Sequence, residues 1–250
     1  EVDVPVYGTR LTLGLLRHRL AEHGMEGKVR LFPIARDARF RLGSFEVETF
    51  PVCHSIPDAV GYGLRCADGV FVHTGDFKID PFPLDGVPTG LDRLRAIARD
   101  EGVTALFSDS TNVEHEGSSP PERFVGEALA EVFGQAPGRV IVAMFSSNIH
   151  RIQEALRAAA GCGRRVALCG KSMVRNVGTA IELGHMTLPH AGILVPVEET
   201  SDLPDRTVAV LTTGSQGEPR SALTLMALGE HKHVKVREGD TAVLSSKFIT

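Results

Sequence analysis

The pattern of apolar and polar positions predicts a helix near the start of the chain, followed by a group of short strands. Leucines between residues 9 and 22 recur at helical spacing, and Thr9 is placed as the N-cap of that helix. An Asp68-Gly69 pair between the last two strands is a strong hairpin signal. The strand-like runs lie at residues 29–34, 44–52, 60–64 and 70–73.

The order of predicted strands and helices changes after a Gly-Ser-Ser-Pro-Pro segment at residues 117–121. Before it, residues 91–99 are predicted as a helix and residues 103–107 as a buried strand. After it, strands and helices alternate, which is typical of a parallel sheet covered by helices. The strands are predicted at residues 140–145, 166–169 and 207–211, and the helices at residues 122–133, 149–160, 173–183 and 221–228. We therefore predict an α/β fold with two domains, residues 1–117 and 118–250.

Composition and charge narrow the class of protein. The chain is 42% hydrophobic and 23% charged, an ordinary globular composition, and no apolar run approaches the roughly 20 residues of a membrane helix. Four scattered cysteines form no C-x-x-C pair, so a reducing cytoplasm is the expected location. The net charge of −4 gives no global reason to expect nucleic acid, yet residues 139–176 carry seven basic residues against one acidic residue. Two interpretations of that segment remain open: a charged surface that faces solvent, and a surface that binds RNA.

Two side chains suited to metal binding follow apolar strands, at the points where the strands give way to loops. They are His54 and Asp76, an imidazole and a carboxylate that suit Zn²⁺ or Mn²⁺, and a carboxylate can bridge two ions. His73 is a candidate for orienting a metal ligand. Asp109, in the run SDSTN, either caps a turn or orients a ligand or a water. By spacing alone, a His and an Asp 22 residues apart are more often part of a capped loop than of a metal site, so both interpretations of His54 and Asp76 remain open at this point.

Three of the predicted parallel strands end in loops rich in Ser, Thr or Gly that lead into helices. These loops are MFSSNIHR, CGKSMVRN and TTGSQGEPR. Ligands of open parallel sheets bind beyond the carboxyl ends of the strands, where helix N-termini attract anions. Ser and Asn are also common N-caps, so anion binding and capping alone both remain open. A P-loop is excluded, because Arg165 stands where the first glycine of that motif belongs.

Taken together, these segments resemble the ribonuclease J family. The runs that carry the resemblance follow one another in the family's order and cover nearly the whole chain: CHSIPDAVGYGL, VHTGDFKID, SDSTN, FSSNIHR, GKSMVRNV, LTTGSQGEPRSAL and LSSKFI. The resemblance implies the C-terminal part of a metallo-β-lactamase αβ/βα sandwich over residues 1–117. An incomplete β-CASP parallel α/β domain would then occupy residues 118–250. It also implies a metal-dependent ribonuclease with 5′→3′ exonuclease and endonuclease activity in messenger RNA decay and ribosomal RNA maturation.

The resemblance further assigns roles to individual residues. His54 matches the third metallo-β-lactamase motif, and Asp76 matches the fourth, where the family's aspartate bridges two zinc ions (Mn²⁺ is an alternative). Asp109 matches the first β-CASP motif, and with Asp76 it is expected to be catalytic. The stretch expected to bind substrate is Phe145, Ser146 and Ser147, with Asn148 and His150 beside it.

The chain also departs from the family pattern. The motif His-x-His-x-Asp-His is expected upstream of residue 1, since none of the ten histidines forms it, and two later β-CASP motifs are also missing. These 250 residues are therefore expected to be the central part of the protein and to be inactive alone, with two metal ligands. Single-stranded RNA, further copies in a homodimer or homotetramer, and an RNA-degradation complex are the expected partners, with no membrane. The alternatives are a non-catalytic RNA-binding paralogue or scaffold, and a metal hydrolase of the same superfold that acts on a small molecule.

Overall fold

The computed structural model describes residues 4–114 and 116–246. The chain divides into two units, Glu1–Glu122 and Arg123–Thr250, whereas the domain boundary predicted above lies a few residues earlier. The end of the LSSKFI run, residues 247–250, lies outside the described residues. Within the described part of the chain, no helix is long and apolar enough to cross a membrane.

The first unit begins with a small parallel sheet and the predicted helix. Strand β1 (Val6–Gly8) pairs with β2 (Leu31–Pro33), and α1 (Arg10–Glu22) connects the two. Thr9 is the N-cap, as predicted, but its side chain makes no capping bond. Instead the carboxylate of Asp58 accepts hydrogen bonds from the Leu11 amide (3.1 Å) and the Thr9 hydroxyl (2.9 Å). The helix is thus capped by a residue from the HSIPD run.

A five-stranded sheet forms the centre of the first unit. Its strands, in spatial order, are β3 (Arg39–Leu42), β4 (Phe45–Pro51), β5 (Val60–Cys66), β6 (Gly69–His73) and β7 (Ala105–Phe107). The first four are antiparallel to their neighbours, whereas β7 runs parallel to β6. The predicted hairpin is confirmed, since Cys66 pairs with Gly69 across a two-residue loop. Helix α2 (Leu91–Asp100) buries Ile97 in the core of this unit.

The prediction that residues 103–107 form a buried strand is wrong with respect to burial. Leu106 and Phe107 are 59% and 55% exposed. The physical reason is topological: β7 is the last strand of the sheet, and no described strand pairs with its outer edge.

The second unit contains a four-stranded parallel sheet, as the alternation of strands and helices predicts. The spatial order is β11 (Thr241–Leu244), β8 (Val140–Ala143), β10 (Val208–Thr212) and β9 (Arg165–Cys169). Every residue of β8 and β10 is buried, as expected for central strands covered on both faces. The helices are α3 (Arg123–Gln135), α4 (Ile149–Gly161), α5 (Lys171–Glu182) and α6 (Ala222–Ala227), and 3₁₀ turns lie at Val197–Asp202 and Asp205–Thr207.

Two basic residues of the 139–176 segment lie inside this unit. Arg164 is 2% exposed, and burial lowers the pKa of its guanidinium. Arg139 is buried and forms a bidentate ion pair with Asp240 at 2.6 and 2.8 Å. The partners of Arg164 are the carbonyl oxygens of Phe133, Ala136, Gly138 and Val208. These two of the seven basic residues therefore serve the interior of the unit and do not contribute to a basic surface.

Candidate functional site

The carboxyl ends of β4, β6 and β7 meet at one edge of the five-stranded sheet. The pairing requires this, because β5 is antiparallel to both β4 and β6, and β7 is parallel to β6. His54, Asp76 and Asp109 each follow one of these strands by two or three residues. The structure thus brings the three loops that carry the predicted residues to the same edge.

Hydrogen bonds tie the His54 segment to the Asp76 loop. Cys53 and Lys78 form an isolated antiparallel bridge, in which the Lys78 amide donates to the Cys53 carbonyl at 2.7 Å. The Thr89 hydroxyl accepts from the Cys53 amide (2.9 Å) and donates to the Lys78 carbonyl (2.7 Å). Because these bonds lie next to His54 and two residues after Asp76, they fix the separation of the two backbone segments.

The carboxylate of Asp109 accepts hydrogen bonds from residues in the loops at the same edge of the sheet. Oδ1 accepts from the hydroxyl (2.6 Å) and the amide (2.9 Å) of Thr111, and Oδ2 accepts from the Phe77 amide at 3.4 Å. These bonds, the Thr111 hydroxyl first, hold the pKa of Asp109 below its ordinary value, and the nearby His54 adds to the effect. The Asp109 amide donates to the Thr74 hydroxyl at 3.0 Å. Asp109 is thus placed to orient the Asp76 loop.

The side chains of His54 and Asp76 differ in their surroundings. His54 is half-buried, with Nδ1 3.3 Å from the Ser55 hydroxyl. Asp76 is exposed, and its carboxylate makes no hydrogen bond or ion pair with the described residues. Burial raises the pKa of the neighbouring Cys53 thiol to about 11, so Cys53 stays protonated at neutral pH. Nδ1 of His73 accepts a hydrogen bond from the Gly75 amide at 2.9 Å, and this nitrogen therefore stabilises the loop that follows β6.

These residues fit part of a metal site. An imidazole and an uncommitted carboxylate are donors that Zn²⁺ and Mn²⁺ accept. Across residues 4–114 and 116–246, however, no group of three or more His, Cys, Asp or Glu side chains could hold a metal ion. His54 and Asp76 are therefore donors of a suitable kind that do not belong to a larger group of candidate ligands within the described residues.

The candidate substrate-binding residues lie at the carboxyl edge of the parallel sheet, in the loop between β8 and α4. Phe145, Ser146 and Ser147 are half-buried, and His150 is half-buried in the first turn of α4. Asn148 is buried, and its Oδ1 accepts from the Arg151 amide at 3.1 Å. Asn148 therefore caps α4.

Neighbouring elements hold this loop in place. Nδ2 of Asn176, on α5, donates to the carbonyl (3.0 Å) and the hydroxyl (3.2 Å) of Ser146. Nε2 of Gln216, in the loop after β10, donates to the hydroxyl of Ser246, in the segment after β11, at 2.9 Å. This bond links the ends of two strands that are separated by β8 in the sheet. The Ser215 hydroxyl is buried and has no hydrogen-bond partner among the described residues. The GKSMVRN and TTGSQ runs marked these loops, but no sequence signal singled out Asn176, Ser215 or Gln216.

A glycine lets the β9 and β10 loops approach each other. Gly170 precedes α5 with a φ of 101°, a conformation that favours glycine. A Cβ at this position would lie 2.8 Å from the Thr213 hydroxyl oxygen. A side chain there would therefore both strain the backbone and push the two loops apart.

Comparison with known proteins gives consistent matches. The model of the β-CASP domain of ribonuclease J matches residues 137–250. Proteins named ribonuclease J are 45% identical over 251 residues in Thermus thermophilus, 42% over 247 residues in Mycolicibacterium smegmatis and 40% over 250 residues in Helicobacter pylori. These alignments cover 100%, 99% and 100% of this chain, but 43%, 44% and 36% of the relatives. The chain thus spans less than half the length of the curated relatives it matches.

A solved structure shares the fold. The crystal structure of a protein of unknown function from Enterococcus faecalis matches with a TM-score of 0.62 at 13% sequence identity. The match covers 96% of this chain and 65% of that one. At this identity the likeness concerns the fold alone.

Proposed function

We propose that the chain is a member of the ribonuclease J family and that it forms part of a metal-dependent ribonuclease that hydrolyses single-stranded RNA. One observation carries the proposal: three loops that bear His54, Asp76 and Asp109 meet at one edge of the five-stranded sheet. The bonds of Thr89 and Asp109 hold these loops in place without using the Asp76 carboxylate.

In this proposal Asp76 and His54 hold the metal, with zinc as the first candidate and manganese as the alternative. When bound, the metal would supply an activated water and would neutralise negative charge on the phosphate. Asp76 would hold it through its carboxylate, and His54 through one imidazole nitrogen. Asp109 keeps the Asp76 loop in register through the Phe77 amide. The remaining ligands come from outside the described residues.

The loop edge of the second unit is proposed to bind RNA phosphates. Ser146 is oriented by Asn176, and the first turn of α4 presents backbone amides beside Ser147 and His150. The unpaired buried hydroxyl of Ser215 supports a polar ligand at this edge, because an unsatisfied buried hydroxyl is costly. Binding through phosphates predicts an affinity that falls as salt rises.

The finer parts of the proposal come from the family resemblance. They are 5′→3′ exonuclease and endonuclease activity, a role in messenger RNA decay and ribosomal RNA maturation, and a homodimer or homotetramer in the cytoplasm that works with an RNA-degradation complex. A non-catalytic RNA-binding protein is the second candidate. It is favoured by one observation: the described residues contain two ligands and no complete metal cluster.

The test is the rate at which the whole protein degrades labelled single-stranded RNA, followed on denaturing gels. The wild type should cleave, and the variants Asp76→Asn and His54→Gln should each lose at least about 100-fold in rate, because even partners of metal ligands cost 10–100-fold. The control is Asp92→Asn, a carboxylate on α2 with a side chain 98% exposed, which should not change the rate. A wild-type protein that binds RNA and leaves it intact would favour the non-catalytic candidate.

A further inference from the structure

Three aromatic rings form a stack in the first unit. Tyr7 and Phe32 face each other in register on β1 and β2, with ring centroids 5.0 Å apart and an interplanar angle of 17°. The ring of Phe40, on β3, lies 5.3 Å from that of Tyr7, also at 17°. Tyr7 belongs to both pairs, so the three rings make one aromatic ladder. None of them belongs to the metal or phosphate positions described above.

The ladder reaches the surface at Phe32. This ring is 41% exposed, whereas Tyr7 and Phe40 are half-buried. Exposed aromatic rings are the surfaces on which single-stranded nucleic acids stack their bases, because every base has a flat π face. An exposed ring at the end of an ordered stack is already held in the orientation that a further ring requires.

Unpaired positive charge accompanies the ladder. Residues 28–41 contain five basic residues and one acidic residue, Asp37. Arg36 pairs with Asp85, and Arg39 pairs with Glu48. The remaining three, Lys28, Arg30 and Arg41, are exposed and form no ion pair with the described residues.

Arg30 has the best position relative to the exposed ring. Its carbonyl accepts a hydrogen bond from the Val6 amide, so the pairing of the two strands continues back to this residue. Alternate residues of a strand share a face, which places Arg30 on the same face as Phe32. An aromatic surface beside an uncompensated guanidinium matches a nucleobase next to its phosphate.

We propose that the aromatic ladder is a stacking platform for a base of single-stranded RNA, with Arg30 contacting the adjacent phosphate. The inference rests on the proposed function, which supplies RNA as the substrate, and adds a contact that the metal and phosphate positions do not provide. A docked apolar protein segment is the competing occupant. It is less favoured because one exposed ring among free cations offers little apolar surface to such a segment.

The experiment titrates the whole protein against a fluorescent 2′-O-methyl oligouridylate, which resists hydrolysis, and measures Kd by anisotropy. Phe32→Leu should weaken binding about tenfold, the effect of losing one base stack, and Phe32→Tyr should retain it. Phe45→Leu is the matched control, because Phe45 is equally exposed (41%) and belongs to no ring pair among the described residues. Arg30→Gln should make the slope of log K against log salt shallower by about 0.7, the value for one phosphate contact on a single strand.

Each outcome decides between the proposals. Equal Kd values for Phe32→Leu and Phe45→Leu, in a protein that binds and cleaves RNA, would overturn the platform and leave the ribonuclease proposal intact. A wild type that neither binds nor cleaves RNA would overturn both. Thermal unfolding of the two leucine variants serves as the folding control, and similar midpoints exclude misfolding as the cause of weaker binding.

Discussion

At the scale of single residues, Glu48 shows how the first unit stabilises a buried charge. The residue is 5% exposed and lies on β4. Its carboxylate pairs with Arg93 from α2 (2.5 and 2.6 Å), Arg39 from β3 (3.1 Å) and Arg65 from β5 (2.8 Å). These bonds, led by that of Arg93, lower the pKa of Glu48 to about 2 against the opposing effect of burial. One carboxylate thus joins three elements.

This arrangement predicts a loss of stability in acid. Because the pKa of Glu48 is lower in the folded protein (about 2) than its ordinary value of 4.5, its stabilisation is complete above about pH 4.5 and is lost as the pH falls toward 2. The shift corresponds to a free energy on the order of 3 kcal/mol. Urea unfolding at a series of pH values should show a shallower acid decline for Glu48→Gln than for the wild type. Parallel declines would contradict the assignment.

Residues whose role depends on a local pattern were predictable, and residues whose role depends on a distant partner were not. The strand-end position of His54 and Asp76, and the N-cap position of Thr9, can be read from short runs. The acceptor that caps α1, Asp58, lies 49 residues from Thr9. Thr89 likewise bonds to Cys53 from 36 residues away. Such contacts exist only after the chain has folded.

At the scale of elements, the helices were predicted closely because their apolar periodicity is long enough to read. The helix predicted at residues 149–160 is α4 (Ile149–Gly161), and that at residues 91–99 is α2 (Leu91–Asp100). Strand β3 was missed because its four residues, RFRL, alternate arginine with apolar side chains and resemble a polar loop. The burial of β7 was misjudged because exposure depends on the neighbours of a strand and not on its own composition.

Arg164 links several elements of the second unit, and its replacement provides a test at this scale. The side chain donates to carbonyl oxygens at and just beyond the end of α3, at distances from 2.7 to 3.0 Å. Arg164→Met would leave these buried carbonyls unsatisfied, and we expect the free energy of unfolding to fall by about 2–4 kcal/mol. The neighbouring Arg165→Met, at an exposed position, should change it by less than about 0.5 kcal/mol. Equal effects of the two substitutions, measured by urea unfolding, would contradict a stabilising role for these Arg164 hydrogen bonds.

At the scale of the whole molecule, the same rule of sheet topology places the candidate residues in each unit. In the first unit they follow the carboxyl ends of β4, β6 and β7, and in the second they follow β8. The regular alternation of strand and helix made the parallel sheet predictable, whereas the spatial order β11-β8-β10-β9 was not, because it depends on which strands pair after crossover connections. The match of the ribonuclease J β-CASP domain model to residues 137–250 agrees with this architecture.

The metal content of the whole protein, compared between the wild type and Asp76→Asn, tests the central claim most directly. After dialysis against a chelating resin, elemental analysis of the wild type should give about two zinc or manganese ions per chain, as expected for a two-metal hydrolase. The Asp76→Asn variant should bind fewer ions per chain than the wild type, by about one or more, because a bridging carboxylate serves both ions. The same measurement on Asp92→Asn should match the wild type. Equal metal content in the wild type and Asp76→Asn, or none in either, would contradict the assignment of Asp76 as a metal ligand.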